Sequence, residues 1–126
     1  MTAAIKTEIS SLVLRFFKEE DAEELFLIND QNREHLKQWL PWLDGVKDPS
    51  DTLTFIRRSI ESATAGTAFC YALLLNVRIV GVVSFNDVER TNRCGTIGYW
   101  LARSYTGRGF MTAAVKALIN QGFQQM

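Results

Sequence analysis

The segment that decides the fold lies near the end of the chain and reads Thr96-Ile97-Gly98-Tyr99-Trp100-Leu101, then Ala102-Arg103-Ser104, then Tyr105-Thr106-Gly107-Arg108-Gly109. Residues 96–101 are rich in branched and aromatic side chains, which is typical of a strand. From Phe110 onward apolar residues recur at helical spacing, at Met111, Ala114, Val115, Leu118 and Ile119. The order strand, glycine loop, helix predicts a helix whose apolar face packs on a sheet.

The glycine loop before this helix is typical of an anion-binding site. Backbone N–H groups at a helix start have no partner within the helix, and the helix dipole favours negative charge there. Gly107 and Gly109 allow the backbone to curl around an anion without a clash of Cβ atoms. We therefore expect the loop to hold a negatively charged group such as a phosphate.

The distribution of charge supports an anion site in this part of the chain. The sequence carries 14 Lys and Arg residues against 14 Asp and Glu residues, so its net charge is zero. All the acids lie at or before Glu89, where nine cations leave a charge of −5. The residues after Glu89 contain five cations and no acid, at Arg90, Arg93, Arg103, Arg108 and Lys116. A segment that binds a polyphosphate is expected to have this excess of cations.

Length and composition predict one packed domain over residues 1–126. The chain has a mass of 14.3 kDa and 47% hydrophobic residues, which favours a globular core over disorder. No apolar run is long enough for a membrane span. The neutral net charge argues against a dedicated nucleic-acid binder. The N-terminus lacks a signal-peptide pattern, which predicts a cytoplasmic protein, and Cys70 and Cys94 are expected to be buried free thiols.

Hydrophobic periodicity predicts the order β-α-α-α-β-β-β-α. Acids crowd the start of the first helix, Pro41 ends the second, and Asp48 with Pro49 begins the third, which ends at Gly66. The predicted strands are residues 12–17, 69–75, 78–87 and 93–101, and the predicted helices are residues 18–29, 32–40, 48–66 and those from 110 onward. The expected fold is α+β: a mostly antiparallel twisted sheet flanked by helices in a three-layer arrangement.

Three ordered motifs together resemble the GNAT superfamily of acyl-CoA-dependent N-acetyltransferases, and in particular its ribosomal-protein N-acetyltransferase branch. The motifs are Ile79-Val80-Gly81-Val82-Val83-Ser84-Phe85-Asn86, then Ile97-Gly98-Tyr99-Trp100-Leu101 leading to Gly107-Arg108-Gly109, and the early segment His35-Leu36-Lys37-Gln38-Trp39-Leu40-Pro41-Trp42. The resemblance covers essentially the whole chain.

The resemblance implies that acetyl-CoA is the co-substrate and that an amine, such as the N-terminus of a ribosomal protein, is the acceptor. It implies that Trp100, Leu101 and Ala102 hold the pantetheine arm, and that Gly107, Arg108, Gly109, Phe110, Met111 and Thr112 hold the phosphates. It further implies a strand bulge within residues 99–101 that opens the acyl site. Ser104 stands where the family's loop usually has Gln or Arg. Beyond this helix the family continues with a strand, a helix and a closing hairpin, whereas this sequence ends at Met126.

The sequence assigns no catalytic residue and no metal site. Asp87 and Glu89 follow the strand beside the expected cleft, but a solvated turn explains them better. His35 is the only histidine, and it lies in an early helix. Trp39 and Trp42 are more typical of core or interface anchors than of an acceptor pocket. No histidine accompanies either cysteine, so neither is expected to be a nucleophile.

Two other nucleotide-binding interpretations fail because the sequence lacks residues that their motifs require. A dinucleotide motif requires a third glycine where Thr112 stands, and a P-loop requires Gly-Lys-Ser or Gly-Lys-Thr, which does not occur. A shortened module that binds acyl-CoA, or a partner chain, without turnover remains the alternative to an enzyme. Because an unpaired last strand would tend to pair with another copy, we also expect a homodimer or larger homo-oligomer.

Overall fold

The structure is a computed structural model that describes residues 4–38, 40–89 and 94–122. Its strands are β1 (Ile5–Lys6), β2 (Leu12–Phe16), β3 (Phe69–Leu75), β4 (Arg78–Glu89) and β5 (Cys94–Leu101). Its α-helices are α1 (Ala22–Gln31), α2 (Arg33–Leu36), α3 (Pro49–Ala65) and α4 (Phe110–Ala117). Short 3₁₀ turns cover Glu19–Asp21, Pro41–Gly45 and Arg103–Tyr105, and a π-helical turn, Leu118–Gly122, extends α4.

The five strands form one antiparallel sheet in the order β1-β2-β3-β4-β5. Neighbouring strands in space are neighbours in sequence, as expected where hairpins dominate. Asn76 and Val77 both have positive φ in the β3–β4 turn, at 51° and 63°, which is the backbone geometry of a type I′ hairpin. In the described part of the chain β1 and β5 are the two edge strands.

The helices cover both faces of the sheet, so the expected α+β arrangement in three layers is confirmed. On one face, Ala113, Ala114 and Ala117 of α4 pack against Leu14 of β2 and Val83 of β4. On the other face, helices α1 and α3 enclose a second core. Its buried members include Leu25, Ile56, Ile79, Val82 and Trp100. The small alanines let α4 approach the sheet closely, which fixes where its N-terminus lies.

Helix α3 begins and ends as the sequence predicts. The Asp48 carboxylate accepts a hydrogen bond from the Ser50 N–H at 2.8 Å, Asp51 completes a capping box, and Pro49 occupies the first turn. Gly66 ends the helix with a φ of 78°, a left-handed conformation that favours glycine. The long helix is therefore held at both ends by local chemistry.

Several predicted boundaries are wrong by one or more residues. The second helix is one turn, Arg33–Leu36, rather than residues 32–40, because the chain turns at Lys37 and forms a 3₁₀ turn at Pro41–Gly45. The two-residue strand β1 was not predicted, since Ile5–Lys6 is too short for a periodic pattern. Strand β4 extends to Glu89, and Trp39, Thr91 and Asn92 lie outside the described residues.

The bulge expected within residues 99–101 is not found between β5 and β4. Their pairing runs unbroken from Asn86↔Thr96 to Gly81↔Leu101. The bulges lie in β4 instead. One places Val80 as an extra residue opposite β3, and the other lies between Asn86 and Glu89, where Asp87 has a φ of 52°. Strand β4, rather than β5, is therefore the irregular strand of this pair.

Among the helices that the structure describes, none combines the length and apolar character that crossing a bilayer requires.

Candidate functional site

The N-terminus of α4 presents unpaired backbone donors to an open loop. Gly109 is the N-cap residue and, like Gly107, has positive φ, at 78° and 77°. Its carbonyl accepts the Ala113 N–H at 3.1 Å, and none of the described side chains caps the helix. The first N–H groups of the helix therefore have no intrahelical partner. A Cβ atom at either glycine would meet no atom within 4 Å, so the loop borders open space.

A cavity of about 610 Å³ lies beside this loop and the edge of β5. Its lining contains seven of the nine residues predicted to contact the coenzyme: Trp100, Leu101, Gly107, Gly109, Phe110, Met111 and Thr112. His35, Leu36, Ile97, Tyr99 and Thr106 complete it. The two predicted residues outside the lining are Ala102 and Arg108. The Arg108 guanidinium lies 5.9 Å from the centroid of the Tyr105 ring.

The three residues that were predicted to contact the pantetheine arm differ in where their backbone N–H and C=O groups point. The Ala102 N–H donates to the Val80 carbonyl at 2.8 Å, and the Ala102 carbonyl accepts the Tyr105 N–H at 3.0 Å. Alternation along an antiparallel pair then turns the backbone groups of Trp100 toward β4 and those of Tyr99 and Leu101 away from it. Tyr99 and Leu101 thus offer open backbone groups at the edge, whereas Trp100 contributes its side chain to the cavity wall.

Asn32 connects the loop to the distant helix α1. Its side-chain carbonyl accepts the Arg103 N–H at 3.0 Å, and its amide donates to the Ile28 carbonyl at 2.8 Å. The Thr106 hydroxyl donates to the Arg103 carbonyl at 2.8 Å. These bonds hold the 3₁₀ turn that leads into the glycine loop. No local signal in the sequence pointed to Asn32, because its partner lies 71 residues away.

A second cavity, of about 350 Å³, lies on the α3 side of the sheet. Tyr99 and Trp100 line both cavities, so the two meet at β5. Strands β4 and β5 contribute Val82, Ser84, Asn86 and Gly98 to the second cavity, and the rest of its lining is Leu40, Phe55, Arg58, Ser59, Ser62, Ala68 and Cys70. Tyr99 is 59% exposed, a large aromatic side chain standing at the junction of two cavities. No local signal in the sequence singled out its side chain.

Apart from the cysteines, five residues were weighed for catalysis or acceptor binding, and four of them have a described backbone position. His35 lines the larger cavity. Asp87 is exposed at the β4 bulge and is not in the lining of either large cavity. Strand β4 ends at Glu89, and the 3₁₀ turn contains Trp42. Trp39, together with the side chains of Glu89 and Trp42, falls outside the described residues.

Cys70 is the cysteine whose side chain the structure describes. It lines the smaller cavity, and burial raises the pKa of its thiol to about 12. The thiol is therefore protonated at neutral pH and is a poor nucleophile.

The cations near the loop are solvent-exposed. Arg103 and Arg108 are exposed on either side of it. Lys116, further along α4, lies 3.9 Å from the Glu8 carboxylate. One acid from the N-terminal half therefore approaches the basic segment. The separation of acids and cations seen along the sequence therefore does not hold at Lys116, which has an acid nearby. Arg103 and Arg108 form no ion pair with a described acid.

The chain matches known acetyltransferases along most of its length. Residues 11–126 match the family model described as the acetyltransferase (GNAT) domain. The ribosomal-protein-serine acetyltransferase of Escherichia coli (strain K12) is 32% identical over 120 residues, which cover 95% of this chain and 66% of that protein.

Solved structures give the same result. RimL, a ribosomal L7/L12 α-N-protein acetyltransferase in complex with coenzyme A, superposes with a TM-score of 0.88 at 30% identity, over 94% of this chain and 66% of that one. The microcin C7 self-immunity acetyltransferase MccE, in complex with acetyl-CoA and AMP, gives 0.85 at 32%, over 88% and 62%. The chain thus spans slightly less than two thirds of the length of these relatives. By its sequence and its fold, this chain belongs to the GNAT acetyltransferase family.

Proposed function

We propose that this chain binds acetyl-CoA and transfers its acetyl group to a primary amine, such as the N-terminus of a ribosomal protein. The observation that carries the proposal is the continuous cavity that runs from the unpaired N–H groups of α4 to the free edge of β5. The related RimL and MccE proteins have been solved with coenzyme A and acetyl-CoA, respectively. An E. coli relative is a ribosomal-protein-serine acetyltransferase.

The residues of the larger cavity suit the two ends of the co-substrate. Gly107, Gly109 and the first turn of α4 offer backbone donors, positive helix-dipole charge and open space, which fit a pyrophosphate. The free edge at Tyr99 and Leu101 fits an extended amide-containing arm, which would bind as an added strand does. In this proposal Trp100 and Leu101 contact the arm, and the residues of the loop and of the first turn of α4 contact the phosphates.

The smaller cavity is the proposed entrance for the acceptor amine. It lies across β5 from the larger one and shares Tyr99 and Trp100 with it. An amine held there would meet a thioester carbonyl placed at the same strand. Bringing the two groups together supplies much of the acceleration of such a reaction, and an open N–H at Tyr99 or Leu101 would stabilise negative charge on the carbonyl oxygen. The general base is not assigned.

Two measurements test the proposal. Isothermal titration calorimetry with acetyl-CoA should show saturable binding, and the absence of heat at millimolar ligand would reject both an enzyme and a coenzyme-binding module. Thiol release from acetyl-CoA in the presence of peptides with free N-termini should then exceed the rate with N-acetylated peptides. Binding without thiol release would favour the module.

Two further predictions concern the oligomeric state of the protein and its location in the cell. The open edge of β5 before Tyr99, outside the stretch proposed for the arm, supports self-association into a homodimer or larger assembly, and light scattering that gives a monomer mass would contradict it. A cytoplasmic location also stays a prediction, to be checked by fractionation of cells that produce the protein.

A further inference from the structure

We infer that Arg58 makes the acceptor site selective for a peptide with a carboxylate side chain shortly after its N-terminal residue. The inference rests on the proposed function, because it assumes that the smaller cavity receives the acceptor. It goes further by naming the chemistry of the acceptor and the residue that recognises it.

Arg58 is the charged residue in the described lining of the smaller cavity. It is exposed on α3 and has no ion-pair partner among the residues that the structure describes. Its neighbour Arg57 differs in both respects, since it pairs with Glu19 at 3.2 Å and does not line the cavity. The two adjacent arginines thus occupy different environments. Arg57 is paired with an acid, whereas the Arg58 guanidinium is available to bind a ligand in the smaller cavity.

Three polar side chains of the lining, those of Ser59, Ser84 and Asn86, are uncharged and already bonded to the protein. The Ser59 hydroxyl donates to the Ile56 carbonyl at 2.7 Å. The Asn86 amide donates to the Ser84 hydroxyl at 3.0 Å, and that hydroxyl lies 3.3 Å from the Gly98 carbonyl. No carboxylate belongs to the described lining, so an incoming anion meets positive charge without a competing acid.

Two described acids on elements that border the smaller cavity form no ion pair with Arg58. Glu61 follows Arg58 by one helical turn on α3, yet the two form no ion pair in the described structure. Asp87 is exposed at the β4 bulge and lies outside the lining. Guanidinium groups bind carboxylates through paired hydrogen bonds, which makes a carboxylate the natural ligand for this open arginine.

Arg58 lies on a different wall of the smaller cavity from the strand where the acetyl transfer is proposed to occur. The acceptor amine must reach Tyr99 and Trp100 on β5, whereas Arg58 stands on α3 across the cavity. The volume, about 350 Å³, lies at the low end of the roughly 300–1,000 Å³ typical of ligand pockets. It therefore suits a short extended segment, with the first residue at β5 and a later side chain at α3.

The test uses conjugates in which the sulfur of coenzyme A is joined through a –CH₂–CO– bridge to a peptide N-terminus. One series carries a single Asp at peptide residue 2, 3 or 4, and matched series carry Ala or Lys there. Calorimetry of the full chain should show that at least one Asp conjugate binds about fivefold more tightly than its Ala counterpart, as expected for a solvent-exposed ion pair. Coenzyme A alone is measured in parallel.

Variants identify the residue responsible. Arg58→Gln should bring the affinities for matched Asp and Ala conjugates to the same value, and Arg58→Glu should favour Lys conjugates over Asp conjugates. Arg57→Gln is the matched control and should keep the wild-type preference. Equal binding of Asp and Ala conjugates, or an Asp preference that survives Arg58→Gln, would overturn the inference while leaving coenzyme binding intact. Failure of coenzyme A itself to bind would overturn the proposed function and the inference with it.

Discussion

Replacing Gly109 with Glu should abolish useful coenzyme binding at a modest cost in stability. Gly109 caps α4 with a φ of 78°, and a side chain there would enter open space beside the unpaired N–H groups. The left-handed conformation costs a non-glycine residue about 1–2 kcal/mol. Replacing glycine also restricts the unfolded chain, which stabilises the folded state by about 0.4–1 kcal/mol. The expected net loss of stability is therefore about 1 kcal/mol, or about 4 °C in melting temperature for a domain of this size.

The expected loss of affinity is larger because it is electrostatic. Two like charges 4 Å apart repel by about 4 kcal/mol at the effective dielectric of a protein surface. If the carboxylate swings to about 8 Å, the repulsion is about half as large. The dissociation constant for coenzyme A should accordingly rise by roughly thirtyfold to a thousandfold. Calorimetry at low ionic strength measures this change, since salt screens the interaction.

Gly66→Glu provides the matched control. Gly66 also has a φ of 78° and also borders a helix, but it ends α3 and does not line the larger cavity. The control should lose comparable stability and keep its affinity for coenzyme A. A dissociation constant for Gly109→Glu within threefold of the wild type would refute the anion site at α4. An equal loss of binding in both variants would show that general destabilisation was responsible.

Three other changes probe the support of the site. Asn32→Ala removes the acceptor of the Arg103 N–H and should cost about 1 kcal/mol in urea unfolding; an unchanged midpoint would contradict its anchoring role. Glu24→Ala removes the acceptor of a β4 N–H beside the bulge, a bond of 2.7 Å, and should cost about 1 kcal/mol, with Glu24→Gln costing less. Burial disfavours the charged Asp21 carboxylate, but hydrogen bonds led by that from Arg15 outweigh it and lower its pKa. The resulting stabilisation is present above about pH 4 and is lost as the pH falls through the lowered folded-state pKa. Asp21→Asn should therefore be less stable at pH 6 and show a weaker acid dependence; parallel stability curves from pH 6 to 2 would contradict this.

The fold was largely predictable from local patterns. The hairpin at Asn76 and Val77, the capping of α3 by Asp48 and the glycines before α4 each depend on residues close together in sequence. The motifs of β4, β5 and the glycine loop were also sufficient for the family resemblance, and the comparison with known proteins confirms it. The short strand β1 and the early end of α2 were missed because two- to four-residue elements depend on their tertiary neighbours.

The site was only partly predictable, since its walls come from distant segments. Seven residues of the expected coenzyme set line one cavity, yet the hydrogen bonds of Ala102 became visible only with the register of β4 and β5. The folded chain brings His35 and Tyr99 to the larger cavity and Asn32 to the loop, and it places Arg58 at the smaller cavity on the opposite face of the sheet.

Residues close together along the chain were enough to predict a glycine loop that opens a helix after a strand, because turn chemistry and helical periodicity are local properties. The meeting of two cavities at Tyr99 and Trp100 depends on how the elements pack together. So does the placement of Arg58 in the lining of one cavity while Arg57 pairs with Glu19. The physical reason is that a cavity is the space between surfaces brought together by packing. Neither its shape nor the charge left unpaired within it is encoded in any single stretch of the chain.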